Sequence, residues 1–166
     1  MPARSTLGSD LLVGAAAGAV ASAVTAGADR LLDPLVSDAA RRRERAVREG
    51  PGHDVAAGAF ARRLAGPGAD ARALRRGRAL FGLLFGVGWG LVYAAVRRRQ
   101  PAAARAAGLP FAVPFFLACD GAIAPLTGLS PSPRALPWQV NAKELANHAV
   151  WTAAAELVTR AVRRGI

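Results

Sequence analysis

Apolar residues in this chain come in long blocks. They do not alternate, and they do not mark one stripe of a soluble helix. Residues 11–28, LLVGAAAGAVASAVTAGA, contain no charged side chain, and neither do residues 79–96, ALFGLLFGVGWGLVYAAV. Each block is 18 residues long, within the ~17–25 that a helix needs to cross hydrocarbon. A third block, 106–128, is interrupted only by Asp120. A fourth, 145–162, carries His148, Glu156 and Arg160 inside an otherwise alanine-rich run. The pattern predicts an all-α polytopic membrane protein, one membrane domain with four transmembrane helices. A long Arg-rich segment, 29–78, lies between the first and second.

The polar connections refine this picture. Gly50-Pro51-Gly52 and Gly66-Pro67-Gly68 punctuate the 29–78 segment, since such triplets break helices. Between them, HDVAAGAFARRLA places Val55, Ala59, Phe60 and Leu64 at helical spacing with Arg62 and Arg63 on the polar side, which predicts a short interfacial helix. The preceding RRRERAVRE run reads as a solvated helix or as disordered. In the second block, Gly82, Gly86 and Gly90 recur every four residues. They form a smooth face against which another helix can pack closely, in this chain or in a second copy. In the third, Pro110, Pro114 and Pro125 each remove a backbone donor and predict kinks. The turn GLSPSPRALPW at 128–138 follows, and Trp138 suits a membrane interface. Asn141 with Glu144 three residues later resembles a capping box, which gives Glu144 a place at the start of the last helix.

Charge fits the same class. The net charge is +11, and 52% of residues are hydrophobic, so the two must be segregated. Of the Lys and Arg residues only Lys143 is lysine. The arginines cluster beside the apolar blocks, as at Arg75–Arg78, Arg97–Arg99 and Arg163–Arg164. That placement predicts contact with a bilayer of anionic headgroups. No nucleic-acid-binding module with a basic face is visible. With four spans both termini share one side. That side holds eight basic residues (Arg4, four in 97–105 and three in 160–164) against two outside the long segment, Arg134 and Lys143. Adding the twelve in 29–78 would reverse the balance, but charges far from helix ends count less, so the expectation is cytoplasmic termini. The N-terminal 28 residues imitate a secretion signal, with ASA at 21–23 as a cleavage-like site. The apolar run exceeds a usual signal core and three more follow, so it is read as a retained helix. The single cysteine, Cys119, cannot form an intrachain disulfide, and its apolar setting predicts an inert thiol.

The last third carries a more specific pattern. Pro125, Gly128, Leu129, Pro131, Pro137, Trp138, Glu144, His148, Trp151, Glu156 and Arg160, taken with their joint spacing, resemble the C-terminal signature of the YagU-like bacterial inner-membrane protein family. GAAAGAVASAV and LLFGVGWGLVY are similar to that family's first and middle membrane helices, whereas 29–78 has no counterpart. The resemblance implies a multi-pass plasma-membrane protein without an established biochemical activity and with a link to survival in acid.

Three ionisable groups inside the apolar blocks are the candidate site: His148, Asp120 and Glu156. Each costs roughly 2.5–3.5 kcal/mol at membrane depth and so belongs on the protein interior or beside water. Counting from the 129–140 turn at about 1.5 Å per residue puts His148 about 10 Å and Asp120 about 12 Å deep. They are therefore predicted neighbours, as a packing hydrogen bond or a proton-responsive pair. Glu156 has Arg160 one turn on, in the favoured acid-first order. No cofactor is expected. Neither HxxxH nor a local Cys/His cluster occurs, and no metal site is read from spacing. No P-loop or G-x-S-x-G is present, so catalysis is not expected. Two functions follow as expectations. One is a proton-linked role in acid-stress or membrane physiology. The other is a non-catalytic packing protein whose glycine face joins it to itself or to another membrane protein.

Overall fold

The computed structural model describes residues 6–165, so Arg4 of the charge count lies outside the described residues. Among them all regular structure is helical. Helix α1 spans Leu7–Leu32, α2 Asp38–Arg45, α3 Gly52–Ala65 and α4 Ala71–Arg99. After a 3-10 stretch, Pro101–Gly108, come α5 Leu109–Ala118, a π-helical turn Cys119–Ile123 and the single turn α6 Ala124–Leu126. Helix α7 spans Trp138–Gly165.

Local chemistry sets the boundaries. Thr6, Ser37 and Asp70 cap α1, α2 and α4 by accepting from Ser9, Ala40 and Ala73 backbone N–H groups, which satisfies donors that a helix start leaves free. Pro51 precedes α3, and Gly66 ends it at φ 77°. The helices are thus longer than the charge-free blocks that predict them, because charged ends join the same hydrogen-bond ladder. The third block departs most: its first residues, Ala106 and Ala107, take left-handed backbone angles at φ 44° and 55°, and its α-helix begins only at Leu109. Segment 29–78 is not a disordered linker. It forms α2 and α3, and α3 packs along the first half of α4.

The long elements run alternately up and down. Helix α1 packs on α4 and α7, and α5 packs on α7. Asp10, near the start of α1, meets Arg163 near the end of α7. Asn147, near the start of α7, meets Asp29, near the end of α1. The α1–α4 seam uses the glycine face. A methyl added at Gly18 would overlap the carbonyl oxygen of Gly86, and one at Gly90 would overlap that of Gly14. The partner of Gly86 and Gly90 is therefore α1 of the same chain. Gly82 stands apart, since a methyl there would meet only the His53 ring, at 3.9 Å.

Burial differs from that of a water-soluble bundle. Leu83, Leu84, Val113 and Leu117 face outward, each more than half exposed, while Glu156 and Thr152 are fully buried. Apolar side chains outside and polar groups inside suit a hydrocarbon solvent. Helices α1 and α4 and the stretch 101–126 are long and apolar enough to cross a membrane. Helix α7 is as long, at 28 residues, but its inward face is polar.

Candidate functional site

The site is built where α5 widens. Pro114 sits inside α5 and Pro125 in the first turn of α6, and neither can donate a backbone hydrogen bond. Between them the chain changes register: the Ala124 N–H donates to the Cys119 carbonyl, five residues back. Such π turns re-aim side chains and recur at functional sites. Here the turn carries Cys119 and Asp120 towards α7.

Across from it, His148 is fixed from behind. Its Nδ1 lies 2.8 Å from the carbonyl oxygen of Glu144. A carbonyl only accepts, so Nδ1 carries the proton and donates. In the neutral ring Nε2 then has a lone pair and no proton. That nitrogen lies 3.3 Å from Asp120 Oδ2. The two atoms do not form an aligned hydrogen bond, and neither has another hydrogen-bond partner among the described residues. An ionised carboxylate facing an imidazole lone pair is repulsive unless a positive charge lies between them. The rest of the His148 ring is held by aromatic edges, with Phe115 at 4.4 Å and Phe116 at 5.6 Å between ring centroids.

The pair opens onto a cavity of about 430 Å³. One wall is aromatic, with Phe81, Phe85, Trp89 and Trp151, and the indole of Trp151 donates to Ser22 Oγ at 3.0 Å. Other wall positions carry charge that is already matched. Glu144 Oε1 accepts from Arg48 Nη2 at 2.7 Å and from the Gly52 backbone N–H at 3.2 Å. Arg48 also meets Glu44 at 2.8 Å. Burial alone would lower the Arg48 pKa, but the flanking Glu144 and Glu44 carboxylates outweigh it and raise it further. Asp29 lies 3.1 Å from Lys143 and accepts from Asn147 at 2.7 Å. His53, on α3, lines the same space, and burial pushes its pKa below the ordinary histidine value.

The predicted site residues thus divide. Asp120 and His148 come together. Glu156 does not join them: it lies two turns along α7, about 12 Å away by helical rise. There it accepts from Arg160 at 2.6 Å, Arg97 at 2.8 Å and Tyr93 at 2.8 Å. Arg160 also donates to the Ala104 carbonyl at 2.6 Å. This one carboxylate joins the second and fourth predicted spans, and Arg160 ties them to the 101–108 connection. Glu144 is not a cap of its own helix, because α7 begins six residues earlier; its carboxylate caps α3 instead. Of the other signature positions, Pro125 follows the π turn, Gly128 takes φ 63° in the turn after α6, Pro137 precedes α7, and Trp138 is exposed. Trp151 faces the cavity.

The sequence did not mark Asp10, Ser22 and Asn147, nor the position of Cys119 beside Asp120 and His148. Asp10 binds Arg98 at 2.7 Å and Arg163 at 2.6 Å and is almost fully buried. It lies just outside the first charge-free block, where no local spacing marks it. Cys119 is adjacent to Asp120 in sequence, but 29 positions separate it from His148, beyond any local motif. The chain matches no family model, no curated protein and no solved structure.

Proposed function

We propose that this is a four-span bacterial plasma-membrane protein of the YagU-like kind that binds a cation inside its helix bundle, between His148 and Asp120. It acts in membrane ion physiology and catalyses no reaction. One observation carries the reading. His148 Nε2 and Asp120 Oδ2 face each other at 3.3 Å without an aligned hydrogen bond to any described residue, beside a cavity of about 430 Å³. A buried pair of this kind costs stability unless a positive charge bridges it. The other buried acids, Glu44, Glu144, Glu156 and Asp10, already have arginine partners. In this reading α7 is the fourth span, its charged face turned inward, and both termini lie in the cytoplasm. The Arg clusters at the helix ends sit against anionic headgroups. The acid-stress link implied by the family resemblance corresponds to protons competing with that cation for His148 and Asp120.

The test is stabilisation by ligand, since whatever binds the folded state raises its unfolding temperature. In detergent micelles, acid or divalent metal salts should raise the unfolding temperature of the wild type and leave Asp120→Asn unmoved. A wild type indifferent to both, or an Asp120→Asn variant that responds equally, overturns the reading. A self-association role through the glycine face has less support, because Gly86 and Gly90 are occupied by α1.

A further inference from the structure

The facing pair has a third member. Cys119 Sγ, an Asp120 carboxylate oxygen and a His148 ring nitrogen all lie within 4.8 Å of one another. On the reading that a cation sits between His148 and Asp120, we infer that the cation is a divalent transition metal of the zinc type. Cys119, Asp120 and His148 hold it, and the fourth position faces the cavity.

The donor set points this way first. One thiolate, one imidazole and one carboxylate match a borderline-soft metal. Calcium and magnesium want six or more oxygens, and Glu144, a further carboxylate on the same cavity, is engaged by Arg48 and Gly52. Charge agrees as well. Cys119 binds as thiolate, and its proton leaves to solvent. Thiolate and carboxylate together then offset the two positive charges, leaving a neutral site inside the bundle.

Geometry separates a metal from a proton. Two ligand atoms about 2.0–2.1 Å from one tetrahedral ion stand roughly 3.3 Å apart. The His148 Nε2 to Asp120 Oδ2 distance is 3.3 Å, and the pair lacks the alignment that a shared proton needs. A sulfur at about 2.3 Å from the ion stands roughly 3.6 Å from the nitrogen, a modest side-chain adjustment for Cys119. His148 is only 9% exposed, and its Nε2 has no aligned partner. Its Nδ1–H donates to a backbone carbonyl, the outer contact that orients metal-binding histidines. The π turn is what brings two adjacent residues, Cys119 and Asp120, to the same ion. Three protein ligands and an open position describe an exchangeable metal rather than a closed structural one.

Cobalt(II) is the probe, because a Co–thiolate bond gives a near-ultraviolet charge-transfer band and tetrahedral Co(II) absorbs strongly in the visible. Titration of the purified full chain in micelles should give both features at one equivalent per chain, with Zn(II) displacing them. Cys119→Ser should lose the charge-transfer band. His148→Ala and Asp120→Asn should each weaken binding by about tenfold or more. In the unaltered protein, Zn(II) should slow alkylation of Cys119, the chain's single cysteine; this arm needs no substitution that could disturb folding. Absence of the thiolate band, or alkylation unaffected by Zn(II), overturns the metal assignment. A wild type stabilised by acid but not by Zn(II) or Co(II) overturns it too, while leaving the cation pair itself standing. Indifference to acid and metal alike overturns both.

Discussion

Replacing Glu156 by Ala should be among the most damaging single changes in this protein, although Glu156 is not part of the cation site. Its side chain is 0% exposed and takes hydrogen bonds from Tyr93, Arg97 and Arg160. The three donors would suffer unequally. Tyr93 is 1% exposed, so its hydroxyl would be left dry, at about 1–3 kcal/mol. Arg97 has a side chain 21% exposed and would keep a mostly buried charge without its counter-ion. Arg160 is 40% exposed and can turn to water, so its pair with Glu156 contributes little. Breaking a buried pair from one side costs about 3–5 kcal/mol, and the sum here should fall in that range. Reversible unfolding in mixed micelles, followed by tryptophan fluorescence, measures it. A double-mutant cycle locates it: removing Arg97 as well should recover part of the loss, and removing Arg160 should recover little. A loss below about 1 kcal/mol, or equal recovery from both arginines, would refute the reasoning.

Gly90→Ala should destabilise the fold by about 1–3 kcal/mol, because its methyl would meet the Gly14 backbone. Gly82→Ala should be neutral or stabilising by up to about 1 kcal/mol; denaturation in detergent compares the two. Glu144→Ala should cost about 2 kcal/mol by uncovering Arg48 and the first N–H of α3. Hydrogen exchange should rise in 48–56 before it rises in α4, and uniform protection would contradict the bracing role. Nitroxide labels at Leu83 and Leu117, both outward, should be reached by oxygen from lipid, while one at Ala155, fully buried, should not. Equal accessibility at the three positions would rule out this inside–outside arrangement.

The block pattern alone determined helices long and apolar enough to cross a membrane. Uninterrupted apolar runs of 18 residues fall within the ~17–25 that cross hydrocarbon as helices. The rise per residue then sufficed to set Asp120 beside His148, since depth along antiparallel helices follows from counting. Pairing of Glu156 with Arg160 was equally local, one turn apart on a single helix. What the pattern could not decide was contact between segments far apart in sequence. The glycine face marked a close approach, but only the packed chain put α1 there. Arg48 looked like one more solvated arginine until α2 and α3 folded over the start of α7 and gave it two carboxylates. The π turn was hidden for a different reason. Its wide register depends on where Pro114 and Pro125 fall against the packing of α5 on α7, and no one-dimensional period encodes it. That turn places Cys119 at the edge of the Asp120–His148 pair.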